Sequence, residues 1–219
     1  MGSRAKRIVS GIGLALTLIA LTGCSQSQTY ATNKASGTYV ALPNGWNKID
    51  KSQLDAAESK STAEAAEEKL ANVIWQEAYS TSPEIEASQV LNLQAPKGAV
   101  VYVRVRDLNF EEMNSISYNS LRNVIVPITS WLENPASADS KFALIDDYER
   151  IEKVARGIRT IYTFADSKGV SETVDQTALV SEDRSRIYLL IIRAKTNYYD
   201  KHEDELMAIG DSFTVRGDK

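Results

Sequence analysis

The only histidine of this 219-residue chain, His202, lies in the run Asp200-Lys201-His202-Glu203-Asp204-Glu205. An imidazole with a carboxylate one helical turn away can share a ligand face, so this run is where a metal would be sought. A zinc site takes three or four ligands in fixed geometry, with more His or Cys than this chain offers. Calcium takes clustered oxygen ligands, and no D-x-[DN]-x-[DN]-G loop is present. The run reads instead as a solvated helix face with one histidine in it, and no metal or cofactor is expected. Ser-His-Asp catalysis lacks both a G-x-S-x-G elbow and a second base. The carboxylate neighbours Glu111-Glu112 and Asp146-Asp147 point to different sides of the backbone, which does not suit a glycosidase pair. No phosphate-cradling GxxxxGK[ST] or GxGxxG occurs. No catalytic residue is assigned.

Aromatic side chains offer binding chemistry instead. Trp46, Trp75, Trp131, Tyr198 and Tyr199 can line a groove or a protein-binding surface. Trp46 and Trp75 are expected in the core, and the two tyrosines are expected to pack a helix start against a sheet. Trp131 sits between Pro127 and Pro135 in an expected loop, and an aromatic on a loop of a rigid scaffold points to contact with a partner.

The elements that must position these residues follow from periodicity. Residues 38–42 form a short strand stopped by Pro43-Asn44-Gly45. Residues 62–72, TAEAAEEKLAN, form a helix with Thr62 as N-cap. Residues 73–79 can extend that helix or form a strand, and the strand is favoured. Residues 100–108 alternate Val101, Val103 and Val105 against Tyr102, Arg104 and Arg106, the pattern of a strand with one wet face. A second helix spans about 111–125, with Met113, Ile116, Ser117, Ser120, Leu121 and Val124 on one stripe. Four strand-like runs follow at 142–151, 159–165, 172–180 and 186–194, with Gly157, Lys168-Gly169 and residues 182–185 as turn material. Residues 187–192 are continuously apolar, which predicts a central strand covered on both faces. Residues 199–210 form a third helix, with Leu206, Ile209 and Phe213 on its buried side. Short connections imply antiparallel pairing, so the fold class is α+β: an antiparallel sheet with helices packed over it.

The N-terminus carries Arg4, Lys6 and Arg7, then a mostly apolar run over residues 8–21 that is too short for a comfortable spanning helix, which takes roughly 20 apolar residues. It ends in Leu21-Thr22-Gly23-Cys24, which resembles the lipobox of bacterial lipoproteins. That resemblance implies diacylglycerol on the Cys24 thiol, cleavage before it, and residence at the outer face of a bacterial cell membrane. An ordinary secretory signal and an uncleaved signal anchor are the alternatives. The domain organisation read this way is a signal peptide at 1–23, the lipidated Cys24 with a flexible polar tether to residue 36, and one folded domain at 37–216. Cys24 is the only cysteine, so the domain must fold without disulfides and has no thiol chemistry. Three of the 25 Lys+Arg and none of the 29 Asp+Glu precede Cys24, which leaves the chain beyond it a formal charge of −7. That balance argues against nucleic acid as a partner and implies weak repulsion from anionic headgroups.

The segments TYVALPNGWNKID (38–50) and IYLLIIRAKTNYYDKHEDELMAIGDSFTV (187–215) resemble PsbP-type domains. In that superfamily an early strand leads into a Pro-Asn/Asp-Gly-Trp turn, here Pro43, Asn44, Gly45 and Trp46. Its C-terminal signature is a buried strand, an acidic helix and a Ser-Phe-x-Val strand, here marked by Ile209, Ser212, Phe213 and Val215. The segment LRNVIVP (121–127) is similar to the equivalent stretch of cyanobacterial PsbP-like lipoproteins, while the Ala/Glu-rich residues 51–72 depart from the pattern. An actinobacterial-type lipoprotein therefore stands beside a photosynthetic one. The superfamily includes photosystem II extrinsic subunits, a Ran-binding nuclear import factor and many bacterial lipoproteins. The resemblance implies a fold, and function must be argued from a site. The expectation is a monomeric, non-catalytic lipoprotein that docks an envelope or membrane protein. A small-molecule or metal carrier and an envelope hydrolase are the other readings.

Overall fold

The computed structural model describes residues 28–60, 66–166 and 168–217. The chain enters as β1 (Gln28–Asn33), returns as β2 (Thr38–Pro43), and passes through β3 (Asn47–Ile49) into helix α1 (Lys51–Glu58). Helix α2 (Ala66–Ala71) leads to β4 (Val73–Ser80), α3 (Ala87–Leu91) and β5 (Ala99–Asp107). Three short helices follow, α4 (Phe110–Ser115), α5 (Tyr118–Arg122) and α6 (Ile128–Glu133). Four long strands come next, β6 (Ala143–Ile151), β7 (Ala155–Ala165), β8 (Ser171–Ser181) and β9 (Arg186–Lys195). Helices α7 (Thr196–Lys201) and α8 (Glu203–Ser212) and strand β10 (Thr214–Val215) close the chain.

The large sheet has the order β3-β4-β5-β9-β8-β7-β6 and the small one β1-β2-β10, with antiparallel pairing throughout. Strand β9 is central, as its unbroken apolar run requires. Tyr188, Leu190 and Ile192 enter a first core with Val101, Val103 and Val105 of β5, beneath Leu206, Ile209 and Phe213 and beneath Val40 and Leu42 of the small sheet. Ile187, Leu189 and Ile191 face the other way, under Leu54 of α1, Val90 of α3, Leu121 of α5 and Ile128 of α6. Each such side chain taken fully out of water contributes about 1.5–3 kcal/mol, so both layers are needed.

Several expectations need correction. The tether does not run to residue 36, because residues 28–33 pair with β2 along its whole length. The alternation in β5 does not mark a wet face. Tyr102 is buried, and Arg104 and Arg106 are roofed by helices that supply Glu58 and Glu112. The helix expected at 111–125 is two helices, broken where Ile116 turns extended and Ser117 caps α5 by accepting from the Ser120 amide at 3.2 Å. The third helix breaks likewise at His202. Gly157 lies inside β7 opposite Leu179, where a Cβ would come 2.0 Å from the Ala178 carbonyl oxygen. It is a close-approach glycine, not a turn residue. Helix α1 was not expected, although Asp50 and Gln53 form its reciprocal capping box. Thr62 and Cys24 lie outside the described residues.

A candidate binding groove on the second face of the large sheet

Strands β5 and β9 pair in register Val100↔Arg193, Tyr102↔Ile191 and Arg104↔Leu189, which sets these six side chains side by side on the second face. Val100, Tyr102, Leu189 and Ile191 form an apolar floor. Helices α1 and α3 and the bend at Asn92-Leu93 wall one side, and Val124 and Ile125 wall the other. Between them lies a cavity of about 570 Å³, and a smaller one of about 340 Å³ adjoins it through Arg106, Val124 and Leu189. Together they form a groove that follows the strands. Leu93, 47% exposed, stands on its rim.

Charged groups border the groove, and each of its three arginines is held by a carboxylate from a different element. Arg104 donates to Glu58 Oε1 at 2.8 Å, and Arg106 makes a two-pronged pair with Glu112 at 2.6 and 2.7 Å. Arg193 donates to Glu172 at 2.5 and 3.1 Å and to the carbonyl oxygens of Val90, Asn92 and Gln94. This arginine therefore fixes the chain between α3 and β5 to the sheet. Burial pushes the Glu172 carboxyl up from the usual range, and the Arg193 guanidinium opposes that shift. Beneath α1 the Tyr102 hydroxyl donates to Gln76 Oε1 at 2.5 Å, and Gln76 Nε2 donates to Asp55 Oδ1 at 2.8 Å. Burial raises the Tyr102 phenol to about 12. The carboxylates match the three arginines in charge around the apolar floor, while Lys60 adds a basic group to the cavity wall.

The first face holds a second buried network with a different role. Arg159 donates to Asp175 at 2.8 and 2.6 Å, to the Tyr148 hydroxyl at 3.0 Å and to Asp211 of α8. Tyr199 donates to the same Asp175 at 3.4 Å. The network ties β7 and β8 to α7 and α8, and no cavity opens onto it among those described.

The residues singled out in the sequence are not brought together. His202 is exposed between α7 and α8, its ring stacked on Tyr198 with centroids 4.3 Å apart. No group of three His, Cys, Asp or Glu poised to hold a metal exists among the described residues. Trp131 lies in α6 rather than a loop. It is half-buried against the second-face core, edge-on to Phe142 at 5.0 Å. Trp75 and Tyr199 are core, while Trp46 and Tyr198 are half-buried at its margin. Sequence reasoning missed the groove, because Arg104 and Arg106 signal it only once their partners on α1 and α4 are known.

No family model matches the chain, and no curated protein matches it. Among solved structures it is similar to cyanobacterial PsbP from Synechocystis, at 12% identity and TM-score 0.48, over 95% of this chain and 98% of that one. It is similar also to the Ran-binding protein Mog1p of Saccharomyces cerevisiae, at 10% identity and TM-score 0.44, over 88% and 97% of the two chains. A third is LpqN of Mycobacterium tuberculosis, described as involved in cell envelope biogenesis, at 12% identity and TM-score 0.44, over 86% and 90%. The likeness concerns fold and carries nothing about activity, ligand or partner.

Proposed function

We propose that this protein is a non-catalytic binding module, held at the outer face of a bacterial membrane by lipid on Cys24, and that the second-face groove is its working surface. The observation that carries the reading is the apolar floor over β5 and β9 inside a frame of paired charges. A partner segment that fits it is apolar and extended, lying along the strands, as a stretch of an envelope or membrane protein would. Catalysis is not supported, since the buried carboxylates Asp175 and Glu172 are each committed to an arginine. The LTGC motif supports the anchor, and no described helix is long and apolar enough to cross a membrane. A small-molecule carrier is the second reading, favoured by a volume within the roughly 300–1,000 Å³ usual for ligand clefts.

The double substitution Leu93→Glu with Ile125→Glu places two charges on the groove walls without emptying the core. Crosslinking in native membranes is expected to recover a discrete partner with the wild type and to lose it with this variant. Trp131→Ala should retain it. Equal recovery from the groove variant sinks the groove as the working surface. A small molecule seen by native mass spectrometry on the wild type alone favours the carrier.

A further inference from the structure

The start of β1 fixes how far the domain can stand from its anchor. Gln28 pairs with Pro43, and the Thr29 hydroxyl donates to Asn44 Oδ1 at 2.7 Å, so the chain is fastened to the body of the protein from residue 28 onward. Four peptide steps separate Cys24 from Gln28, a reach of roughly 14 Å at full extension. A tether lasting to residue 36 would have reached about 45 Å and imposed no orientation. We propose that the end of the domain formed by the start of β1 and the Pro43-Asn44-Gly45-Trp46 turn rests on the phospholipid surface. The inference depends on the lipid anchor of the proposed function.

The chemistry of that end suits a lipid interface. Tyr30 is 60% exposed and Trp46 half-buried, and both ring types have an apolar body with a polar tip of the kind that settles at headgroup level. Gly45 has φ +91 and nothing within 4 Å of where a Cβ would stand, so the tip of the turn is open to its surroundings. Of the lysines at this end, Lys48 is paired with Glu77 and Lys97 with Glu84, while Lys195, two residues beyond Arg193, is exposed. Short reach offsets the weak repulsion expected of an acidic domain, because it keeps the local concentration of membrane high. The same end carries Val100 and Arg193, so the groove runs from the bilayer outward with its Asn92-Leu93 rim nearest the membrane.

The test uses the full acylated protein in phosphatidylcholine vesicles containing doxyl-labelled lipid. A fluorophore is placed by Asn44→Cys or, at the opposite end of the large sheet, by Glu182→Cys. Strand β9 spans the two ends over ten residues, roughly 30 Å. Quenching is expected at position 44 and not at 182. Twelve Gly/Ser residues inserted between Ser27 and Gln28 should abolish the difference. Acylated protein with equal quenching at both positions, or a difference that survives the insertion, overturns the inference and leaves the anchor intact. Protein whose mass shows no acyl group on Cys24 overturns the anchor and the inference together.

Discussion

Arg159 is wholly buried, yet its guanidinium is engaged by Asp175, Tyr148 and Asp211, which is what keeps a buried charge from unfolding the domain. Gly157, two residues earlier, solves a different problem on the same strand. Any side chain there would meet the backbone of Ala178 and Leu179, which cannot swing aside as a flexible side chain would. Gly157→Ala is therefore expected to destabilise by about 1–3 kcal/mol, read from the midpoint of urea unfolding. A change within about 0.5 kcal/mol would show that β7 and β8 separate more easily than their packing implies. In the sequence Gly157 reads as turn material, since glycine near a strand start has two meanings and only the neighbouring strand distinguishes them. His202 was legible as a solvated histidine in an acidic run, and it is exposed.

At the scale of elements, burial on the two faces of the large sheet fixes the protonation of its tyrosines. Burial raises the phenols of Tyr79, Tyr162 and Tyr199 well above the ordinary value, and that of Tyr102 to about 12. The folded protein therefore keeps protons that the unfolded chain gives up from about pH 10. Stability is unaffected below that value and falls as pH rises from 10 toward 12, because the unfolded state binds fewer protons there. The expected result is a melting temperature that drops steeply above pH 10, with the tyrosinate absorbance of these rings appearing only on unfolding. Tyrosinate signals from all ten tyrosines at pH 10.5 in a still-folded protein would contradict the burial. Strands were the legible elements: 187–192 was continuously apolar and is the central strand. Helices were less so. The stripe over 111–125 was real, but Ser117 competes for the backbone and divides it. Residues 28–33, QTYATN, carry no period to announce a strand. They are one because β2 offers a free edge beside them.

At the scale of the whole molecule, the two sheets and their helices leave one face filled by α8 and the other partly open as a groove. The first face is closed by Leu206, Ile209 and Phe213, whose spacing could be read directly from the sequence. Among the described residues the second face is covered by short helices that do not meet over β5 and β9, and no periodicity in the chain predicts a gap between separate elements. Trp131, the residue that sequence position favoured for partner contact, packs against Phe142 at the margin of that face. Two surfaces thus compete for the same role. Photocrosslinking separates them most directly, with the reactive group placed at Leu93 or at Trp131 in the acylated protein within its native membranes. The account predicts a discrete adduct from position 93 that disappears with Ile125→Glu. Adducts from position 131 alone, unaffected by Ile125→Glu, would contradict it.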